Sequence, residues 1–310
     1  MKYALINGIL LDGTETMQPR PGLTVLVNGD RIEALVPAGT EGSDYERIDL
    51  AGGYVMPGLI NLHVHLPASG RPTVKQKDTK KIVRLMTSNA LLRAITFWVC
   101  AGYAKTELLS GVTTLRSVGG IQAVDSYLRD KILSGKAVGP RILAGNMAVS
   151  VPGGHMAGSL PYAMFDRSVT GASETEQYNG KLVMDGIIDC AKACLKNGIP
   201  VGLGTDTGCP YITHYDMWRE VYYFRKLCNV SNAFALHTAT LGNARLVGLG
   251  EETGSLEPGK CADLVVTGEN PLEDLKALRH IDLVMGRGNL IRAPKVKKME
   301  KAERELDKFL

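Results

Sequence analysis

The 310-residue sequence has no apolar run approaching the roughly 18–20 residues that a membrane-spanning helix needs, so no membrane partner is expected. Its first residues, Met1-Lys2-Tyr3-Ala4-Leu5, supply no apolar secretion core, and Asn7-Gly8 interrupts the segment early. A disulfide framework is missing as well: six cysteines without regular spacing fit free thiols in a reducing cytoplasm, the expected compartment. Charge of one sign is equally absent. Lys and Arg number 36 against 32 Asp and Glu, and the basic residues are dispersed, so nucleic acid is not an expected partner. The main charged stretch, 295–308, alternates Lys with Glu and Asp and reads as the solvated face of a C-terminal helix or tail spanning 293–310. Cys190 and Cys194 lie one helical turn apart in the apolar stretch 187–195. They read as buried free thiols in preference to a metal pair.

What is present divides into two kinds of pattern. Residues 1–53 read as short strands (4–11, 23–28, 31–36 and 47–50) with turn chemistry at Asn7-Gly8, Asp12-Gly13 and Asn28-Gly29-Asp30. A matching set lies near the other end: a turn at 254–258, a strand at 262–266, and a hairpin of 281–285 with 289–291 around Gly286-Arg287-Gly288. Neither set is long enough to build a core alone, so 1–53 and 253–292 are expected to fold together as one small β-domain. Between them, 54–252 alternates apolar strands with helical segments, which predicts a parallel α/β architecture. Four strands are countable, at 54–65, 111–117, 141–150 and 199–204, with helices at 80–109, 122–133, 181–196, 216–227 and 233–246. The stretch 151–180 is rich in Gly, Ser and Thr and contains no clear strand–helix–strand unit.

Two strand ends carry the candidate chemistry. In Pro57-Gly58-Leu59-Ile60-Asn61-Leu62-His63-Val64-His65, residues two apart face one side, so His63 and His65 point together from the end of an apolar strand. Two convergent imidazoles suit Zn²⁺, Fe²⁺ or Mn²⁺. In Ile199-Pro200-Val201-Gly202-Leu203-Gly204-Thr205-Asp206, a carboxylate stands at the tip of another apolar strand. Asp206 there is either a cap for the following segment or a metal ligand and base for a bound water.

Taken with Gly111-Val112-Thr113-Thr114-Leu115-Arg116, Gly139-Pro140-Arg141, Ala239-Thr240, Asn243-Ala244, Gly254-Ser255-Leu256-Glu257-Pro258-Gly259-Lys260 and Ala262-Asp263-Leu264, these motifs resemble the metal-dependent amidohydrolase superfamily. The branch they look most like is the imidazolonepropionase-like and Xaa-Pro-dipeptidase-like one, over residues 3 to about 292. The resemblance implies a (β/α)₈ barrel of the TIM type with a β-sandwich made from both chain ends. It also implies one or two divalent ions, Zn foremost with Fe or Mn compatible, and hydrolysis of a C–N bond in a small amide, dipeptide or cyclic amide. Carried over by motif, His63 and His65 match the first-strand metal ligands, and Asp206 matches the last-strand ligand and base. His155, in Gly153-Gly154-His155, matches a loop that reaches substrate or is an exposed loop histidine. His214, in the loop after the last strand, is either a substrate contact or a contact to the following helix. His237 sits on a helical face and reads as core or surface.

The sequence departs from the family in one block. The pattern includes a bridging Lys on the fourth strand and a His after each of the fifth and sixth, yet no histidine lies between His155 and His214. The expected fold is therefore an incomplete barrel lacking strands 4–6, with the chain passing from about Leu160 straight into a seventh-strand region at 161–168. Such a loss corresponds to roughly 90 residues of a barrel that typically takes about 250. Two further functional readings follow: an inactive remnant serving as a scaffold, homo-oligomeric through its opened strand edges, and a ring-amidine deaminase.

Overall fold

The computed structural model describes residues 1–72, 79–146 and 174–310. Strands from both chain ends share one eight-stranded sheet. A largely apolar run forms β1 (Lys2–Leu10), which pairs antiparallel with β2 (Arg20–Asn28) and parallel with β4 (Glu46–Asp49). β2 then turns through Gly29-Asp30 into β3 (Arg31–Pro37). On the other flank, β1 pairs with β5 (Tyr54–Pro57), and the sheet continues through β9 (Leu264–Thr267), β10 (Leu283–Gly286) and β11 (Asn289–Arg292). The last hairpin turns on Arg287 and Gly288, both at positive φ as a two-residue turn of this twist requires. Tyr3, Leu5, Val25, Val55, Leu264 and Met285 are among the side chains that fill its buried face.

The single strand expected over 54–65 is two strands in different sheets. β5 belongs to the large sheet, whereas β6 (Leu59–Val64) starts a parallel sheet with β7 (Val112–Ser117) and β8 (Arg141–Ala144). Gly58 makes the crossing. A Cβ on it would come within 2.2 Å of the Thr113 side chain, so the junction admits no larger residue without movement of β7. The long helix expected over 80–109 is likewise two, α1 (Thr79–Thr87) and α2 (Ala90–Leu109). They are separated where the Asn89 side chain caps α2 by accepting from Leu92 N at 2.9 Å. Next come α3 (Val124–Leu133) and α4 (Glu174–Lys196), then α5 (Met217–Cys228) and α6 (Asn232–His237). A π-helical turn (Thr238–Gly242) joins α6 to α7 (Asn243–Leu246), and α8 (Glu300–Leu306) closes the chain. The expected seventh-strand region and the later part of the 141–150 strand fall outside the described residues. Among the described residues, no helix is long and apolar enough to cross a membrane.

The C-terminal charges are not simply a solvated face. Glu303 and Asp307 clamp two arginines: Arg219 Nη2 lies 3.2 and 2.7 Å from them, and Arg279 Nη2 lies 2.6 and 2.8 Å away. Both guanidinium groups also stack over Trp218. This ties α8 to α5 by paired charges that are mostly desolvated.

The expected strand at 199–204 forms no regular ladder. Residues 201–207 run beside β6, but only Val64 and Thr207 make a parallel bridge, supported by Leu62 N donating to Leu203 O at 3.1 Å and His65 N to Thr207 O at 2.8 Å. A buried side chain makes up the difference. Asn243, the first residue after the π turn, donates from Nδ2 to Ile60 O (2.7 Å) and Leu203 O (2.9 Å) and accepts from Leu203 N (2.9 Å). Replacing Asn243 by Ala is expected to leave these backbone groups short of partners inside the protein and to cost about 2–4 kcal/mol. Urea unfolding of the variant and the parent checks this, and an unchanged midpoint would show that the clamp is dispensable.

Candidate metal centre

The candidate centre forms where β6 and segment 201–207 end together. His63, on β6, and His65, just past its end, emerge on one side, with their Nε2 atoms 3.3 Å apart and their rings edge-on. The neighbouring segment approaches closely because residue 204 is glycine: a Cβ there would sit 2.7 Å from both His63 N and His63 Cβ. Two residues later, Asp206 adopts a left-handed backbone (φ 57°), a conformation Asp tolerates better than most residues. Its Oδ1 lies 2.9 Å from His65 Nε2 and 3.4 Å from His63 Nε2. The three donor atoms lie within 4.8 Å of one another, and among the described residues this is the only such group of three. Their side chains are 45, 20 and 37% exposed, so the cluster faces solvent.

The surroundings set the charges. Burial alone would raise the Asp206 carboxyl, but the hydrogen bond from His65 and the fields of both imidazoles hold it below the usual carboxylate range. Cys209 donates to Asp206 Oδ2 at 3.5 Å, and burial beside that carboxylate pushes its thiol up to about 12. Cys209 is thus a hydrogen-bonding thiol at neutral pH, and not a nucleophile.

Beneath the centre lies a buried polar chain. Asn61, two residues before His63 on β6, donates to Thr205 Oγ1 (2.9 Å) and Glu107 Oε2 (3.3 Å), and its Oδ1 accepts from Thr205 N (3.1 Å) and His63 N (3.3 Å). The other Glu107 oxygen lies 3.1 Å from His214 Nδ1. His214, a candidate substrate contact from its loop position, has different surroundings from those expected. It is 3% exposed, its Nε2 bonds the Ala68 carbonyl at 2.8 Å, and its ring stacks on Tyr103. Both ring nitrogens are therefore engaged within the protein, and Glu107 lies between this residue and Asn61. His237 is also buried and bonds Gly13 O. His155 lies outside the described residues. Cys190 and Cys194 are not the buried thiols expected: Cys190 is exposed, Cys194 is half-buried, and their thiols hydrogen-bond each other. A cavity of about 560 Å³ between 278–282 and 293–298 lies apart from the centre and holds no comparable ligand group among the described residues.

One further contact ties the 201–207 segment to the helical layer. Glu220 on α5 accepts from the Gly204 backbone N–H, and burial pushes its carboxyl up to about 7 from 4.5. The folded protein therefore keeps this proton over a range in which the unfolded chain has released it, so stability falls as pH rises from about 4.5 to 7.

The amidohydrolase family matches the chain over residues 54–189 and 183–291. The imidazolonepropionase of Thermoplasma acidophilum is 21% identical over 366 residues, covering 86% of this chain and 88% of the relative. That of Picrophilus torridus is 32% identical over 91 residues, covering 29% of this chain and 22% of the relative. Among solved structures, a prolidase-like protein from Bifidobacterium longum superposes with a TM-score of 0.83 at 24% identity over 99% of this chain and 98% of the other. A Xaa-Pro dipeptidase with bound methionine gives 0.78 at 20% identity over 94% of this chain and all of the other. These neighbours carry a (β/α)₈-like fold.

From the Glu220 contact, the parent protein is expected to lose stability between pH 5 and pH 8, and Glu220→Gln to lose less. Denaturant midpoints at the two pH values check this, and equal losses in both proteins would remove Glu220 as the cause.

Proposed function

The chain belongs to the amidohydrolase family, and from that membership we propose that it hydrolyses a C–N bond of a small amide, dipeptide or cyclic amide at a divalent cation held by His63, His65 and Asp206. The observation that carries the reading is the spacing of the donors. Four ligands at the 2.0–2.1 Å usual for nitrogen on zinc stand about 3.3 Å apart at the corners of a tetrahedron. Here the three separations are 3.3, 3.4 and 2.9 Å. Three protein ligands with one open position are the arrangement of a catalytic zinc site. Two imidazoles and a carboxylate also suit iron or manganese.

A divalent ion bound there would supply Lewis acidity, making water a stronger acid and polarising the amide carbonyl. Asp206 supplies the rest. Oδ1 faces the two imidazoles, while Oδ2, steadied by the Cys209 thiol, is the oxygen that takes a proton from the attacking water and returns it to the leaving nitrogen. Asn61 and Gly204 hold the two sides of the cluster together while this happens.

The barrel reads as incomplete, with strands 4–6 lost as one block. β8 is an edge of the parallel sheet among the described residues. The alignment with the Thermoplasma relative runs over 366 residues, at least 56 more than the 310 this chain contains. The family also matches in two pieces that meet at 183–189. A second reading, a non-catalytic scaffold, draws on Leu182, Val183 and Ile187, which stand exposed on α4. Apolar faces of this kind favour self-association.

Zinc-loaded protein is expected to retain close to one ion per chain after dialysis, and His63→Ala to retain little. Asp206→Asn should lower hydrolysis of N-acyl amino acids or Xaa-Pro dipeptides by about 10²–10⁴-fold. Metal content near zero in the parent, with no hydrolysis, would favour the scaffold.

A further inference from the structure

Arg116 plays no part in the ligand set, yet it lines the same cavity as His63. That cavity, about 380 Å³, presents a mainly polar surface from backbone, His63 and Arg116, with Leu246 and Val247 at its edge. Arg116 lies near the end of β7 and is exposed. Its Nε donates to Leu62 O at 2.8 Å, which fixes the plane of the guanidinium against β6. No hydrogen bond or ion pair within the described residues takes up its two terminal nitrogens. An arginine held by one nitrogen, with two parallel donors left over beside a metal ligand, has the geometry that carboxylates accept in bidentate fashion.

We propose that Arg116 is a specificity-determining residue that binds a free carboxylate on the substrate. Resting on the hydrolase reading, this narrows the substrate class to N-acylated amino acids or dipeptides whose terminal carboxylate meets Arg116 and whose side chain lies toward Leu246 and Val247. The scissile amide then falls between the guanidinium and His63. A lysine at 116 would present a point charge without the paired donors, and glutamine would present no charge.

The test compares N-acetyl-L-leucine with its uncharged counterpart N-acetyl-L-leucinamide by isothermal calorimetry on the full chain. Both ligands are titrated into zinc-loaded and chelator-treated protein, and metal content is measured on the same samples. The parent is expected to bind the acid about 10–100-fold tighter than the amide in both states, as a charge-assisted pair implies. Arg116→Gln should bind the two alike while keeping its metal and melting temperature, and Arg116→Lys should keep part of the preference. Equal affinities in the parent, binding of neither ligand, or a full acid preference surviving in Arg116→Gln would overturn the assignment. A parent that prefers the acid but holds no metal would sink the hydrolase reading and leave Arg116 as an anion site.

Discussion

Two buried asparagines hold the first strand of the parallel sheet against the segment that carries Asp206, and the centre depends on them. A parallel pair normally gains its register from a ladder of backbone bonds, but here the ladder is nearly absent. Asn243 bridges Ile60 and Leu203, and Asn61 bridges Thr205, Glu107 and the His63 backbone. Both side chains are fully buried, so each amide contact is made where water offers no alternative partner. Without the bridges, the Leu62 N–Leu203 O and His65 N–Thr207 O bonds and the Glu220–Gly204 contact are left to hold Asp206 beside the two imidazoles.

The same clamp accounts for the chemistry at the rim. Gly204 lets the segment lie against His63, and the left-handed turn at Asp206 brings its carboxylate back over both rings. The imidazoles then outweigh burial in keeping that carboxylate ionised, which is the state required of a ligand. Below the rim, the Asn61–Glu107–His214 chain reaches from β6 through α2 to the loop after the 201–207 segment. His214 is thereby held by Glu107 and the Ala68 carbonyl within the protein.

Much of this was legible in the residues, and the remainder was hidden for identifiable reasons. His63 and His65 declared themselves by alternation, and Asp206 by standing at the tip of an apolar run. The sharing of one sheet by both chain ends followed from turn chemistry and from segments too short to fold alone. The break at Gly58 was invisible, because it depends on how near Thr113 comes, which is a tertiary fact. Asn61 and Asn243 gave no pattern, since single polar residues in apolar segments do not reveal their partners. His214 was read as a substrate contact or a contact to the following helix, and its partner Glu107 gave no signal because it lies 107 residues away in sequence. The 199–204 segment reads as a strand from its apolar run but is bonded largely through side chains, so its sequence looks more regular than its pairing.

The central claim is that this clamp presents two imidazole nitrogens and one carboxylate oxygen to a single cation. X-ray absorption at the zinc edge of protein loaded with one equivalent of metal tests it most directly. The account predicts a shell of nitrogen and oxygen at about 2.0–2.1 Å with the outer scattering of two imidazoles. A sulfur shell at about 2.3 Å, which would place the ion on cysteine, or a shell without imidazole scattering would contradict it.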